Sequence, residues 1–350
     1  MKLIKNGHGE AVIALDEELT GSSEKELLGL SDICSSKDIN TVSLDFSNVD
    51  MMDNTGLNVL VKFSVHAHKA HKILTSKGMT KKYMDIFQMT GLDNVYHVYA
   101  DPEKIPDRPG KSATAKTPQI EYWARPVKKL AVAKTSPEAV NLNVHGRRTA
   151  GPLQGFGQLW EKTYTIDLSD SKLNPEQIIS VLKNKFPEFQ PPQNRFYPTE
   201  TGIKPGEIVL INASTPGGMV ATGVMVLYAA PRTFTFITPQ GHPEAGWVTF
   251  RSFEKEGRII MQVQGLARAS DPVYEAAFRI AGSNLQQQIW TFLLESLAKH
   301  TGSKSKAEFH KQCLDKSLQW SQFFNIFRNA QIISMIYSLT HPVRRKAHAV

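Results

Sequence analysis

The sequence predicts two folded units of different class: an α/β unit, followed by an α+β unit with an antiparallel sheet and a long closing helix. In the first 100 residues, short alternating or β-branched segments are separated by amphipathic helical segments, as in a partly parallel α/β layer. From residue 151, one helical segment precedes a series of strand segments that are joined by Gly- and Pro-containing turns. A length of 350 residues suits two domains.

The elements of the first unit follow from the hydrophobic pattern. A helix from about residue 56 to 70 is expected to bury Leu57, Leu60 and Val61, and Gly91 is placed as a glycine cap at the end of a later helix. The predicted strands are 10–15, 41–46, 72–77 and 94–100, and the predicted helices are 21–34, 56–70 and 79–91.

The second unit begins with a strand and a helix, for which Asn174 is the expected N-cap and Pro175 the first helical residue. The helix expected at about 272–299 turns Phe278, Leu285, Ile289, Phe292 and Leu293 inward. The predicted strands are 155–168, 206–214, 221–230, 233–239, 247–254 and 258–269.

The net charge of +8 is unevenly distributed. Residues 101–150 carry 10 Lys and Arg against 5 Asp and Glu, and residues 303–350 carry 8 against 2. We therefore expect an α/β unit at 1–100, a basic Pro-containing linker at 101–150, a second domain at 151–302 and a basic amphipathic tail at 303–350. Such charge favours an anionic surface over a basic catalytic groove, and nucleic acid is not an expected partner.

Several function classes are excluded or disfavoured by what the sequence lacks. No apolar run approaches the roughly 20 residues of a membrane-spanning helix, and the N-terminus does not resemble a secretion signal. Cys34 and Cys313 form no CxxC or Cys/His cluster, and the histidines of "HAHKAH" at 66–71 suit a solvated helix face, so neither metal nor cofactor is expected. A cytoplasmic location fits best.

A hydroxyl stands at the strand-to-helix corner "DNTG", residues 53–56. Thr55 there can cap the helix, or it can carry a phosphate that the free N–H groups of the helix N-terminus would receive. The residues alone leave both roles open.

Two stretches around this corner resemble the STAS domain of anti-sigma-factor antagonists: "VSLDFSNVDMMDNTGLNVL" and "MDIFQMTGLDNVYHVY". The resemblance implies that an anti-sigma factor or a serine/threonine kinase-like protein docks at Asp53, Asn54, Thr55, Gly56 and Leu57. It also implies that Thr55 is the phospho-acceptor, although this chain has Thr and Asn where the family usually has two Ser.

The second unit contains a polar cluster of His242, Glu244, Arg251 and Arg268. His242 and Glu244 would serve acid–base chemistry if both faced a cavity, and otherwise the segment is a turn with solvated charges.

The stretches "GFGQLW", "TPQGHPEAGWVTF" and "LARAS", with the helix "LQQQIWTFLLESL", resemble a family of START-like, helix-grip proteins. This chain departs from the family pattern at Trp247, where an acidic residue is expected. The resemblance implies an apolar small molecule or lipid held between the sheet and the closing helix, with His242, Glu244, Arg268, Phe278 and Leu285 as pocket candidates.

The tail joins aromatic residues at 320–327 to Arg344, Arg345 and Lys346. It predicts either peripheral contact with an anionic membrane or a helix packed on the second domain. We expect a non-enzymatic bacterial signalling protein of antagonist type whose second domain binds an apolar ligand. The alternative is an enzyme or lipid-transfer protein that the first domain regulates.

Overall fold

The computed structural model of the chain describes residues 1–6, 9–99, 119–133, 136–215 and 217–341. Within them the chain forms an α/β unit and a larger unit built on one antiparallel sheet. No helix in these ranges has the length and apolar character needed to cross a membrane.

The first unit is a five-stranded sheet with three helices. Its strands run in the order β1-β2-β4-β6-β7, in which β1 pairs antiparallel and the other neighbours pair parallel. The predicted α/β class is confirmed. The elements are β1 (Lys2–Asn6), β2 (Glu10–Ala14), β3 (Glu18–Leu19), α1 (Glu24–Gly29), β4 (Thr41–Asp45), β5 (Met51–Met52), α2 (Asn54–Lys69), β6 (Ile73–Lys77), α3 (Lys81–Thr90) and β7 (Tyr96–Val98).

Local chemistry explains most of these boundaries. Gly91 ends α3 in the left-handed conformation, at φ 73°, as predicted. The single helix predicted over 21–34 is instead α1 flanked by two 3₁₀ turns, and Thr20 makes the cap by accepting a hydrogen bond from the backbone of Ser22. Strand β1 was not predicted, because its segment is short and carries Lys on both sides of its apolar pair.

The second unit is an antiparallel meander, and the first long strand in the sequence pairs with the last strand of that meander. The path runs β10-β11-β12-β13-β14-β15-β9-β16, and β8 pairs with β13. The elements are β8 (Thr149–Ala150), β9 (Leu159–Asp167), α4 (Pro175–Asn184), β10 (Asn194–Tyr197), β11 (Ile208–Thr215), β12 (Gly218–Ala230), β13 (Thr233–Pro239), β14 (Glu244–Lys255), β15 (Arg258–Ala269), α5 (Pro272–Ala277), α6 (Ser283–His300), β16 (Glu308–Asp315) and α7 (Ala330–Thr340). The antiparallel sheet and the C-terminal helix agree with the prediction.

The helix expected over 272–299 is interrupted. A π-helical segment, Phe278–Gly282, separates α5 from α6. Leu293 is fully buried as predicted, but Phe292 is 42% exposed, so its expected inward orientation is wrong. The buried residues of α6 include Trp290, Leu293, Leu294 and Leu297, and at 3.6 residues per turn Phe292 points away from them.

The large sheet is covered on both faces. Along β13, Phe234 and Phe236 belong to the core beneath α6, whereas Ile237 belongs to the core that contains α2. Successive side chains of a strand point to opposite faces, so this alternation places the first unit on the face opposite α6.

Aromatic side chains fill much of the space between the sheet and α6. Phe186 contacts Phe196, Phe236 and Phe250 edge-on, with ring centroids 5.1, 5.3 and 5.4 Å apart. Phe250 in turn contacts Trp290 of α6 at 5.4 Å. Edge-to-face pairs of this kind make a well-packed interior.

The segment predicted as a linker is partly packed structure. Residues 101–118 lie outside the described residues, but Trp123, Leu130 and Val144 are buried. Trp123 forms a bridge with Tyr228 and donates its indole N–H to Met52 O at 3.2 Å. This part of the chain therefore connects the two units by direct contact.

The segment predicted as a tail is also folded over most of its length. β16 adds to the edge of the sheet beside β9, a 3₁₀ segment spans Trp320–Arg328, and α7 packs on β12. Arg344, Arg345 and Lys346 lie outside the described residues.

Candidate partner-docking site at the start of helix α2

Asp53 caps helix α2 and holds the corner together. Its Oδ1 accepts hydrogen bonds from Thr55 N at 2.9 Å, from Gly56 N at 3.0 Å and from Thr55 Oγ1 at 2.6 Å. Two of the free N–H groups at the helix N-terminus are thereby satisfied.

The hydroxyl of Thr55 lies inside the corner. It accepts a hydrogen bond from Gly21 N at 2.6 Å while it donates to Asp53, and Thr55 is only 9% exposed. A Cβ at Gly21 would lie 3.1 Å from Thr55 Oγ1. The predicted phospho-acceptor is therefore placed at the predicted corner, but the turn that contains Gly21 covers it.

Gly56 and Leu57 are enclosed as well. A Cβ at Gly56 would lie 2.3 Å from Leu19 O, so only glycine fits this approach of the backbone. Leu57 has no exposed surface. Gly56 therefore allows the start of α2 to pack closely against β3.

Burial raises the pKa of the Asp53 carboxyl, and its hydrogen bonds from Thr55 and Gly56 oppose part of that effect. Burial also lowers the pKa of Arg251 on β14, while the charge of Asp53 favours the protonated guanidinium. The two groups therefore stabilise each other's charged forms across the boundary between the units.

A polar stripe along α2 faces the large sheet. Asn54 donates its side-chain amide to Thr235 Oγ1 at 2.8 Å and to Thr233 Oγ1 at 3.1 Å, both on β13. One turn later, Asn58 donates to Gln264 Oε1 of β15 at 3.0 Å. Asn58 also accepts from the indole N–H of Trp247 on β14 at 2.7 Å.

The stripe continues to the other edge of the sheet. Lys62 Nζ lies 2.9 Å from a Glu161 oxygen on β9 and 2.8 Å from one of Glu24 on α1. Burial disfavours the charge of Lys62, but the hydrogen bonds to Glu161 and Glu24 outweigh it and raise the pKa. Lys69 Nζ donates to Leu314 O of β16 at 2.8 Å. Helix α2 thus crosses the strands from β13 to β16.

These contacts bury most of the helix. Of the 16 residues of α2, 13 are buried, including Asn54 and Lys62. The amide oxygen of Asn54 is buried without a hydrogen-bond partner among the described residues, an arrangement that typically costs about 1–3 kcal/mol. Of the docking residues implied by the sequence, Asn54 lies at the contact between the two units, whereas Thr55 and Gly56 are covered by Gly21 and Leu19 of the first unit itself.

A second contact joins the units near the end of α3. Thr149 Oγ1 donates to Met89 O at 2.6 Å. A Cβ at Gly151 would lie 1.8 Å from Thr90 O, so glycine is required at this approach.

The structure does not bring the second-domain candidates into one site. Glu244 faces α6, where its Oε2 accepts from Gln286 Nε2 at 2.6 Å and its Oε1 lies 3.7 Å from Lys162 Nζ. Arg268 lies on the opposite face of the sheet, because it alternates with the residues of β15 that point toward α6. It forms an ion pair with Asp315 and donates to two backbone carbonyls.

The ring of His242 contacts the main chain of Glu244 and not its carboxylate. His242 Nδ1 accepts from Glu244 N at 3.1 Å and lies 3.0 Å from Glu244 O. Burial lowers the pKa of His242 to about 4. The hypothesised acid–base pair is thus not formed in this arrangement.

Phe278 and Leu285 lie near the interruption of the closing helix. Phe278 is half-buried and stacks on Tyr274 at 6.3 Å between centroids, and Leu285 is half-buried on α6. Tyr164 lies on the same side of the sheet as Glu244, and its buried hydroxyl has no hydrogen-bond partner among the described residues. The sequence did not single out Tyr164 or Gln286.

Two surface clefts lie elsewhere in the described structure. One, of about 460 Å³, lies between the end of α2 and residues 313–317, and the other, of about 530 Å³, lies along 187–198. None of the predicted pocket residues lines either cleft. The described residues contain no group of three His, Cys, Asp or Glu arranged to hold a metal ion.

Comparison with known proteins identifies the first unit. Residues 5–99 match the family described as "Mlab, STAS domain", and this unit is a STAS domain. No curated protein matches the chain.

Several solved structures are similar to part of the chain. The anti-sigma factor antagonist SpoIIAA in its unphosphorylated form is 16% identical, with 31% of this chain and 94% of that chain covered and a TM-score of 0.25. The Bacillus cell fate determinant SpoIIAA in the phosphorylated form is 19% identical, with 30% and 95% covered and a TM-score of 0.24. Protein Ms6760 from Mycobacterium smegmatis is 14% identical, with 41% and 91% covered and a TM-score of 0.30.

The polar stripe along α2 is the structural feature of this site that sequence reasoning missed. A signal for it exists, since the apolar residues of α2 include Val59, Phe63 and Val65 in addition to the predicted inward set. Together they extend around more of the helix than one covered face requires.

Proposed function

We propose that this chain is a non-enzymatic bacterial signalling protein of anti-sigma-factor-antagonist type. Its STAS domain docks an anti-sigma factor or a kinase-like regulator at Asp53–Leu57, and its second domain binds an apolar molecule. The observation that carries the proposal is the STAS domain itself, with a hydroxyl, Thr55, at the start of α2.

The second domain competes with the partner for this site. Because Asn54, Asn58 and Lys62 are bound to the large sheet, a partner reaches the corner only after α2 and the sheet separate. A phosphate on Thr55 would place about two negative charges beside Asp53 in a buried position. It would therefore favour the separated form, and in that form repel an acidic partner surface.

A helix-grip fold for the second domain is supported by its topology. One strand, β9, precedes the helix α4, six strands follow as a meander, and β9 closes the sheet beside β15 under the long helix α6. Since Phe186 and its neighbours fill part of the interior, we place the ligand at the other end, near Glu244 and Gln286. The buried hydroxyl of Tyr164, which has no hydrogen-bond partner among the described residues, offers that ligand one polar contact.

An enzyme or a lipid-transfer protein is the second candidate. It is favoured only by the titratable pair His242 and Glu244 beside α6, and it requires the imidazole to turn from the main chain toward the carboxylate. Lipid in organic extracts of the purified intact chain would agree with either proposal, whereas turnover lost in both His242→Ala and Glu244→Ala with the fold retained would favour this candidate.

We place the protein in the cytoplasm, with peripheral contact to the inner face of the membrane through residues 303–350. The cations Arg344, Arg345 and Lys346 lie outside the described residues and contribute to this proposal by their charge alone.

The docking proposal is tested by comparative capture of partners from the lysate of the source organism. The bait Lys62→Glu places a carboxylate against Glu161 and Glu24 and opens the contact between the units. It should recover several-fold more of a regulator than the intact chain does, and Thr55→Glu added to it should remove that gain. Thr55→Ala in the same background should retain it.

The matched control is Lys25→Glu, the same charge reversal at an exposed position of α1. It should recover what the intact chain recovers. Equal capture by the Thr55→Ala and Thr55→Glu forms of the opened chain would show that the corner is not the docking site.

A further inference from the structure

Helix α7 has an inverted distribution of polar and apolar residues. Its buried residues are Ala330 and Ser334, and Ser334 Oγ accepts a hydrogen bond from Ala221 N at 3.1 Å. Its exposed face is apolar, with Met335 at 49%, Ile336 at 57% and Leu339 at 81% exposure. A helix that faces water normally has the opposite arrangement.

The 3₁₀ segment before α7 continues this apolar surface as a strip of aromatic rings. Trp320 stacks near Phe323 with centroids 6.4 Å apart, Phe323 contacts Phe324 at 5.8 Å, and Phe324 stacks on Phe327 at 6.3 Å. Trp320, Phe324 and Phe327 are 67%, 71% and 77% exposed. Exposed apolar surface of this extent marks an interaction site.

The same region is anchored to the start of the closing helix. Asn329 donates to Asp271 Oδ2 at 2.8 Å, and Gln331 N donates to Tyr274 Oη at 2.9 Å. In the adjoining π-helical segment, Ile280 is 86% exposed. The apolar surface is therefore held in a fixed position beside the interruption between α5 and α6.

The charges around the surface indicate what covers it. No Asp or Glu follows Asp315 in the sequence, and the cations Lys316 and Arg328 lie at the two ends of the aromatic strip. A second copy of this chain docked through the same surface would bring these cations together, which is unfavourable. An anionic bilayer complements them, and Trp and Phe side chains suit the boundary between headgroups and acyl chains.

We propose that the aromatic strip at 320–327 and the exposed face of α7 together bind an anionic lipid bilayer. This inference deepens the peripheral contact named in the proposed function and rests on it. It adds a defined surface, and it places the π-helical segment of the closing helix at the lipid, where an apolar ligand would pass between bilayer and protein.

The test is co-sedimentation of the intact chain with phosphatidylcholine vesicles, with and without phosphatidylglycerol. We expect binding to the vesicles that contain phosphatidylglycerol, weakened by salt, and at least about tenfold weaker binding for Phe324→Glu combined with Phe327→Glu. The control Ile73→Glu, at an apolar position that is 53% exposed in the first unit, should bind as the intact chain does.

Tryptophan fluorescence gives a second readout that does not depend on sedimentation. Trp320 is exposed, whereas Trp123, Trp247 and Trp290 are buried. A blue shift with anionic vesicles that disappears in Trp320→Phe supports insertion of the strip.

Two results would overturn the proposal. One is equal vesicle binding by the intact chain and the double Glu variant. The other is no vesicle binding together with a concentration-dependent dimer that the double Glu variant abolishes, since the surface would then join two copies. Because partner capture by the Lys62→Glu bait uses no lipid, neither result alters the docking proposal.

Discussion

The imidazole of His242 is held in its neutral form by its surroundings. Burial lowers the pKa of this group to about 4 from an ordinary value of 6.5, and Nδ1 serves as an acceptor for Glu244 N. A protonated ring would lose that hydrogen bond and place a charge in a buried position. The residue therefore couples the stability of the second unit to pH.

Because the pKa of His242 is lower in the folded than in the unfolded chain, its contribution to stability is complete above pH 6.5. It is lost as the pH falls from 6.5 toward 4, to a limit of about 3 kcal/mol. His242→Asn, whose Oδ1 also accepts the Glu244 N–H, should lack this loss. The measurement is the free energy of unfolding of both proteins by urea between pH 7 and pH 4. Parallel curves would show that His242 does not titrate in this range.

At the scale of single elements, α2 joins the two units by polar contacts that run from β13 to β16. Asn58→Ala should remove the acceptor of Trp247 Nε1 and the donor to Gln264. Leaving buried polar groups unpaired should lower the free energy of unfolding by about 2–3 kcal/mol. His66→Ala, at an exposed position of the same helix, should change it by less than about 0.5 kcal/mol. Equal effects of the two substitutions in urea denaturation would contradict the role assigned to Asn58.

Periodicity and capping residues predicted elements well where one face of the element meets a core. Gly91 and Asn174 marked helix ends correctly, because each acts through its own backbone or side chain. The same local information could not show that Asn58 and Lys62 are buried. Polar residues on a helix are normally solvated, and the large sheet that covers them comes from sequence about 100–200 residues away.

The site candidates were predicted to different extents for the same reason. The corner at Asp53 and Thr55 is local, so its position and its capping geometry could be predicted. The second-domain cluster depends on which face each strand turns inward. Arg268 and Glu244 lie on different faces, although they belong to neighbouring strands.

At the scale of the whole molecule, the two units share one apolar core. The cluster that contains Leu57 and Leu60 of the STAS domain also contains Leu210, Ile237 and Leu266 of the large sheet. Shared burial of this kind couples the stability of two units. We therefore expect them to unfold together.

A protease site inserted between residues 101 and 118 tests this expectation. After cleavage, the two fragments should elute together in size-exclusion chromatography and unfold in one calorimetric transition. With Lys62→Glu the cleaved fragments should separate, and with Lys25→Glu they should not. Separate elution of the fragments from the otherwise unchanged chain would show that the contact is too weak to act as one unit.

The enclosure of α2 sets a limit on how tightly any partner can bind. A partner that needs the uncovered helix binds only the open fraction of molecules, so its apparent Kd equals its intrinsic Kd divided by that fraction. If opening requires about 4 kcal/mol, a nanomolar partner appears micromolar. The regulatory range of the protein is then set by the opening equilibrium, and hydrogen exchange at the backbone amides of α2 measures that equilibrium directly.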